Sequence, residues 1–157
     1  IRIEVTSQED AGTAFTLMLP KHQPPRQKTD SDASSVSLGG VRILCIDDES
    51  EVRAALEALL SGMGCQVETA AGTADGLERA RASQPDILIA DLRLADGDDG
   101  ITSIRRLREL YPQLPALLIT GDTAPDRLTM ASGTGIKLLH KPISAHELTQ
   151  AIDREIN

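Results

Sequence analysis

From residue 41 onward the apolar residues follow two alternating patterns. Short apolar runs, the length of buried strands, give way to longer stretches in which apolar residues recur every three or four positions. Runs at 41–46, 66–70, 86–91, 116–120 and 136–140 predict five strands. Val52, Leu56, Leu59, Leu60 and Met63 mark a helix over 50–62 that Gly62 and Gly64 stop. A second helix is predicted over 73–83 with Thr73 as its cap. A third carries Ile101, Ile104, Leu107 and Leu110 on one face and ends at Tyr111-Pro112. Thr123 to Asp126 has the form of a capping box opening a short fourth helix, and Ser144 to Glu147 opens a fifth. Strict alternation of strand and helix predicts an α/β fold, a doubly wound parallel sheet.

The chain before residue 41 is patterned differently. Residues 1–5 and 13–19 alternate apolar and polar around 8–12, a β-hairpin signal. A lone hairpin is marginal in water, so residues 1–20 are expected to be the remnant of a larger sheet. The Pro-, Ser-, Asp- and Lys-containing stretch 21–40 reads as a flexible linker, leaving 41–157 as the domain. Ile1 opens in mid-pattern and not at a Met, as expected of a piece of a longer protein.

Four of the five predicted strands end on polar groups. Asp47 and Asp48 follow the first, Asp91 the third, Thr120 the fourth and Lys141-Pro142 the fifth. Parallel sheets gather such ends along one edge, where ligands bind in the crevice outside them. Singly, each residue has a bland explanation: a helix cap, a turn, a strand-favouring Thr, a common Lys-Pro. Together they bring three carboxylates, a hydroxyl and an ammonium to one place. Two carboxylates ~5 Å apart repel by roughly 3 kcal/mol at an effective dielectric near 20. Such a cluster needs a proton, a cationic partner or a metal. Hard oxygen ligands in a partly hydrated site suit Mg²⁺. Phosphoryl transfer requires little beyond positioning and charge neutralisation, and a carboxylate can itself be the nucleophile.

Composition narrows the field. The formal net charge is −8, the wrong sign for a nucleic-acid surface, and one Phe, one Tyr and no Trp leave no platform for base stacking. Cys45 and Cys65 read as small buried hydrophobes in a reducing compartment. No stretch reaches the ~20 apolar residues of a membrane span and no signal peptide opens the chain, so a cytoplasmic location without direct membrane contact is expected. His22, His140 and His146 read as structural or solvent-facing.

The strand-end segments resemble the receiver domain of two-component response regulators. Residues 43–50 (ILCIDDES), 85–94 (PDILIADLRL), 118–121 (LITG) and 138–143 (LLHKPI) carry the resemblance, in matching order and spacing. It implies a flavodoxin-like sheet of order 2-1-3-4-5 with five helices. It implies that Asp91 accepts a phosphoryl group from a phosphohistidine. Asp48, Asp91 and the backbone carbonyl of Arg93 would ligate Mg²⁺, with Asp47 helping through water. Lys141 would pair with the phosphoryl oxygens, Thr120 would turn its hydroxyl toward them, and the Lys141–Pro142 peptide would be cis.

Three features depart from that family. Leu138 stands where an aromatic switch residue is frequent. The loop 92–100 is one residue longer than in many relatives, has Ala95 in place of a usual Pro, and carries Asp96, Asp98 and Asp99, expected to form a solvated acidic turn, with a second cation site as the alternative. Arg93 and Asp122 occupy positions that in the family tune phosphate lifetime. Residues 12–20 (GTAFTLMLP) resemble the closing strands of a histidine-kinase ATP-binding domain, which implies a hybrid sensor kinase as parent. No phosphodonor-histidine motif and no Gly-rich nucleotide box occurs, so this piece is not expected to be a kinase by itself. The expected partners are a histidine kinase or histidine phosphotransfer domain and a second copy of the chain, without nucleic acid. Two other readings are a Mg²⁺-dependent aspartyl-phosphate phosphatase, for which Asp47-Asp48-Glu49 departs from the Asp-x-Asp motif, and a non-phosphorylated pseudo-receiver.

Overall fold

The computed structural model describes residues 38–121 and 133–157, together with the backbone of two earlier strands, β1 (Arg2–Gln8) and β2 (Gly12–Met18). The chain divides into two compact units, Ile1–Ser34 and Ser35–Asn157. In the first, β1 and β2 pair antiparallel from Arg2↔Met18 to Gln8↔Gly12, the hairpin that the alternating pattern predicts. Most of the predicted linker lies outside the described residues. So do His22, Asp122 and the helix predicted from Thr123.

The second unit runs β3 (Arg42–Ile46), α1 (Ser50–Gly62), β4 (Gln66–Ala70), α2 (Thr73–Ala82), β5 (Ile87–Asp91), α3 (Gly100–Leu110), β6 (Ala116–Thr120), β7 (Lys137–His140) and α4 (Ala145–Ile156). A single 3₁₀ turn, Ala95–Gly97, interrupts the connection from β5 to α3. The five strands are parallel in the order β4-β3-β5-β6-β7. Counted from β3, this is the expected 2-1-3-4-5, and four of the five expected helices fall among the described residues.

Every residue of β5 and β6 is buried, because helices cover both faces of the sheet. Side chains alternate between the faces with the strand period of two. Ile87 and Ile89 of β5 join Ile43, Leu117 and Ile119 in one core, closed by Leu60 of α1 and Leu148 and Ile152 of α4. Leu88 and Ala90 join Leu44, Ile46 and Leu118 in the other, closed by Ala80 of α2 and Ile104 and Leu107 of α3. Each fully buried Leu or Ile contributes about 1.5–3 kcal/mol of transfer free energy, so aliphatic side chains suffice without aromatics. Cys45 and Cys65 are buried free thiols in the first core, as expected. Burial pushes the Cys45 thiol up to about 12, which keeps it protonated and inert.

Helix starts show where local sequence rules win and where they lose. The hydroxyl of Ser144 accepts from the Glu147 amide at 3.1 Å, as its capping box predicts. Thr73 is no cap: it is the first helical residue of α2, and Gly72 holds the cap position without a side-chain bond. Its hydroxyl is instead buried against that of Ser103 in α3 at 2.6 Å. A buried hydroxyl needs a partner, and here a tertiary one displaces the local one. The free Thr73 amide is taken by Asp98 Oδ2 at 3.1 Å, from the connection between β5 and α3.

That connection is held close. A Cβ added at Gly100 would collide with the Asp91 carbonyl and lie 2.7 Å from Leu118 Cδ2. Only glycine lets the first turn of α3 press against the end of β5. The opposite ends of α2 and α3 are joined by the Tyr111 hydroxyl, which donates to the Ala80 carbonyl at 2.8 Å.

Candidate functional site

The right-handed twist and parallel register bring the C-terminal ends of β3, β5, β6 and β7 side by side, with Thr120 opposite His140 and Asp91 opposite Ile119. The polar residues that end these strands meet at that edge. Asp47, Asp91 and Thr120 are only 2%, 8% and 1% exposed, unusually deep for such groups. Asp48, Asp91, Arg93, Thr120 and Lys141 line an open cleft of about 490 Å³ together with Glu49, Leu94, Ala95 and Gly121.

Lys141 is the hub. Its ammonium lies 3.2 Å from Asp47 Oδ2 and 3.1 Å from Asp91 Oδ1. The backbone positions it: the Lys141 amide donates to the Thr120 carbonyl at 2.7 Å, and the Lys141–Pro142 peptide is cis, as the resemblance implies. Asp47 is fully engaged, since Oδ1 accepts from the Glu49 amide at 2.9 Å and Oδ2 from Lys141. Asp91 is not. Its Oδ2 accepts a long bond of 3.3 Å from the Arg93 amide, while Oδ1 is buried without a hydrogen bond and meets Lys141 only as a charge contact.

The electrostatics follow from that imbalance. Burial pushes the Asp91 carboxyl above its ordinary range, and the contact with Lys141 only partly offsets it, while Asp47 adds repulsion. Burial works against the Lys141 ammonium too, but Asp91 and Asp47 outweigh it and hold its pKa above the ordinary value. One ammonium therefore neutralises two buried carboxylates, and the cleft keeps a deficit of positive charge. A cation would correct that deficit, and the buried Asp91 Oδ1 without a hydrogen bond fits a metal or a transferred group. Among the described residues no three His, Cys, Asp or Glu side chains are grouped so that they alone could hold a metal ion. Mg²⁺ does not need one, since it keeps waters and takes one or two carboxylates plus phosphate oxygens.

The structure also places residues that the sequence leaves unmarked. Arg53, on the first turns of α1, donates from one nitrogen to the carbonyls of both Asp47 (2.7 Å) and Asp48 (2.9 Å). Asp98 and Asp99 do not form the expected solvated turn, and the Asp96 side chain lies outside the described residues. Asp99 caps α3 by accepting from the Thr102 amide at 2.7 Å, and Asp98 is committed to α2 and to the Asp99 amide. Burial works to raise the Asp98 pKa, but the bonds from Thr73 and the Asp99 amide hold it below the ordinary range. The run Asp99-Gly100-Ile101-Thr102 is a readable cap signal, whereas nothing local marks Asp98. His140 and His146 are exposed, as expected. Leu138 is half-buried against the α2–α3 core.

With this geometry in place, likeness to known proteins is decisive. The sequence model of the response regulator receiver domain matches residues 43–153. The chain belongs to that family and contains the receiver domain of a two-component response regulator. It is 30% identical over 113 residues to the DNA-binding transcriptional regulator NtrC of Escherichia coli K12, a match covering 71% of this chain and 24% of that protein. The transcriptional regulatory protein ZraR of the same organism is 29% identical over 117 residues, covering 74% and 26%. The chain thus spans about a quarter of the length of the curated relatives it matches. Among solved structures, a response regulator receiver domain protein from Clostridium thermocellum aligns with TM-score 0.67 and 29% identity over 74% of this chain and 94% of its own. The chemotaxis protein CheY4 of Vibrio cholerae aligns with TM-score 0.67 and 25% identity over 74% and 99%.

These relatives lend no support to a kinase parent, and NtrC is by name a DNA-binding protein, so the absence of a nucleic-acid partner read from net charge gains no support either. No helix among the described residues is long and apolar enough to cross a membrane.

Proposed function

We propose that Asp91 is the phosphoacceptor of this receiver. The observation that carries the reading is the state of its carboxylate: buried at the strand-end edge, raised in pKa by that burial, and left with one oxygen free of hydrogen bonds. The attacking Asp91 oxygen forms a bond to phosphorus as the N–P bond of a phosphohistidine breaks. The released imidazole takes a proton from solvent, and an acyl phosphate remains on Asp91. The donor is a histidine kinase or a histidine phosphotransfer domain.

Asp48, Asp91 and the Arg93 carbonyl would hold Mg²⁺, with Asp47 acting through water. The ion would supply charge neutralisation for the phosphoryl oxygens. Lys141, already shared by both buried carboxylates, moves its charge onto the phosphoryl group, and the Thr120 hydroxyl donates to it. The phosphorylated domain then regulates the remainder of its own protein or relays the phosphoryl group to a second histidine. The hairpin of residues 1–20 favours a kinase as the neighbouring domain, the names of the relatives a transcriptional regulator, and the sequence flanking this stretch on both sides decides between them.

Incubation with acetyl phosphate and Mg²⁺ is expected to add one phosphate by intact mass, and Asp91→Asn to abolish it. Undiminished labelling of the Asn variant overturns the assignment. A phosphatase would instead show sustained turnover of a phosphomonoester.

A further inference from the structure

We infer that Arg53 is a positioning residue for the metal site, holding the acidic pair in register with Asp91. The inference rests on the phosphoacceptor reading given above and adds a residue that touches neither phosphate nor metal. Its basis is geometric. Asp47 and Asp48 sit in the bend between β3 and α1, a segment without ladder partners beyond the Asp47 amide bond to Ala70. The Arg53 guanidinium bonds the carbonyls of both from a single nitrogen.

The fixation matters because the two acids have different duties. The Asp47 carboxylate is buried and already bonded to Glu49 and Lys141. Asp48 lines the cleft with its side chain exposed, so its direction depends on the backbone that Arg53 grips. The α1 cap adds no side-chain bond, since Glu49 holds the cap position without one, and the bend's other tie is the Glu49 amide on Asp47 Oδ1. A rigid helix therefore sets the bend from one turn inside, through a planar guanidinium that can serve two acceptors at once.

Coulomb's law and positioning predict opposite signs. Removing a cation beside a cation site should tighten Mg²⁺ binding if Arg53 acts only by its charge. If it acts by holding the bend, removal should weaken binding, by about tenfold, the lower end for residues that orient metal ligands. Isothermal titration of the whole chain with MgCl₂, without phosphodonor, reads this directly, with circular dichroism confirming that each variant is folded. Arg53→Met is expected to weaken Mg²⁺ about tenfold. Arg53→Lys keeps the charge with one short donor and should recover only part of the affinity. Arg53→Gln, neutral but still a donor, should bind more tightly than Arg53→Met.

Unchanged or tighter Mg²⁺ binding in Arg53→Met, with the wild type binding normally, overturns the inference alone. An Arg53→Lys variant as weak as Arg53→Met, alongside an Arg53→Gln variant no better, does so too. Failure of the wild type to bind Mg²⁺ overturns the metal reading and this inference with it.

Discussion

The two ends of the sheet carry acid–base contacts of opposite character. At the N-terminal edge Arg42 and Asp86 pair one to one: the guanidinium reaches Asp86 Oδ1 at 2.8 Å and Oδ2 at 3.3 Å, and the Arg42 amide adds a bond to Oδ2 at 2.9 Å. Both side chains are substantially exposed. At the C-terminal edge two buried carboxylates divide one ammonium, and an Asp91 oxygen has no hydrogen bond. The bond to Arg42 holds the Asp86 carboxyl below its ordinary range, whereas burial holds Asp91 above it. A satisfied pair is finished structure, while an under-satisfied cluster retains the capacity to take on something else.

Breaking the hub should have the largest effect. Lys141→Met leaves two buried carboxylates without a counterion, and unfolding at pH 7 is expected to become easier by about 3 kcal/mol. The loss should shrink as pH falls through the folded Asp91 pKa, since a protonated Asp91 no longer needs the ammonium. Denaturant midpoints at pH 7 and pH 4 check both points, and an equal loss at the two values would contradict the hub role.

Relieving the cluster should act in the other direction and more weakly. The folded Asp91 pKa lies above its unfolded value, so the folded state binds that proton more tightly and stability falls as pH rises through this window. Asp91→Asn is therefore expected to stabilise the fold at pH 7 by about 1 kcal/mol or less, read as a higher thermal midpoint. Below the ordinary aspartate pKa both states are protonated and the gain should vanish. Destabilisation at pH 7 would show that Lys141 depends on Asp91 more than Asp91 suffers from burial.

The N-terminal pair should matter least. Asp86 is depressed in the fold, so its contribution is present above the ordinary aspartate pKa and lost as pH falls through the folded value. Because the pair is exposed and screened, Arg42→Met should shift the thermal midpoint by an amount at the edge of detection. A large loss would erase the contrast between the two edges.

The strands were legible because a buried parallel strand writes itself as an uninterrupted apolar run, as 86–91 does, and the strand order followed from handedness and resemblance. The cluster was legible for the same reason: its members end those runs. What stayed hidden is long-range partnership. The pull of Ser103 on Thr73 and the reach of Asp98 to α2 join residues far apart in the chain, while the grip of Arg53 on two carbonyls is close in sequence but has no recognised local pattern. The division of labour between Asp47 and Asp48 came from the resemblance alone, and the fold adds that Asp47 is buried while Asp48 is exposed. The sequence shows Leu138 is not aromatic, but its packing against the α2–α3 core is visible only in the fold.

The cap that Asp98 lends to α2 has a consequence for how the domain breathes. A helix start whose first amide is satisfied by another segment loses that satisfaction whenever the segment lifts away. Ser103 of α3 bonds both Thr73 and the Asp99 carbonyl, so the first turn of α2 and the connection after Asp91 are expected to gain or lose order together. Amide protection in the first turn of α2 therefore reports on a loop that belongs to the next strand.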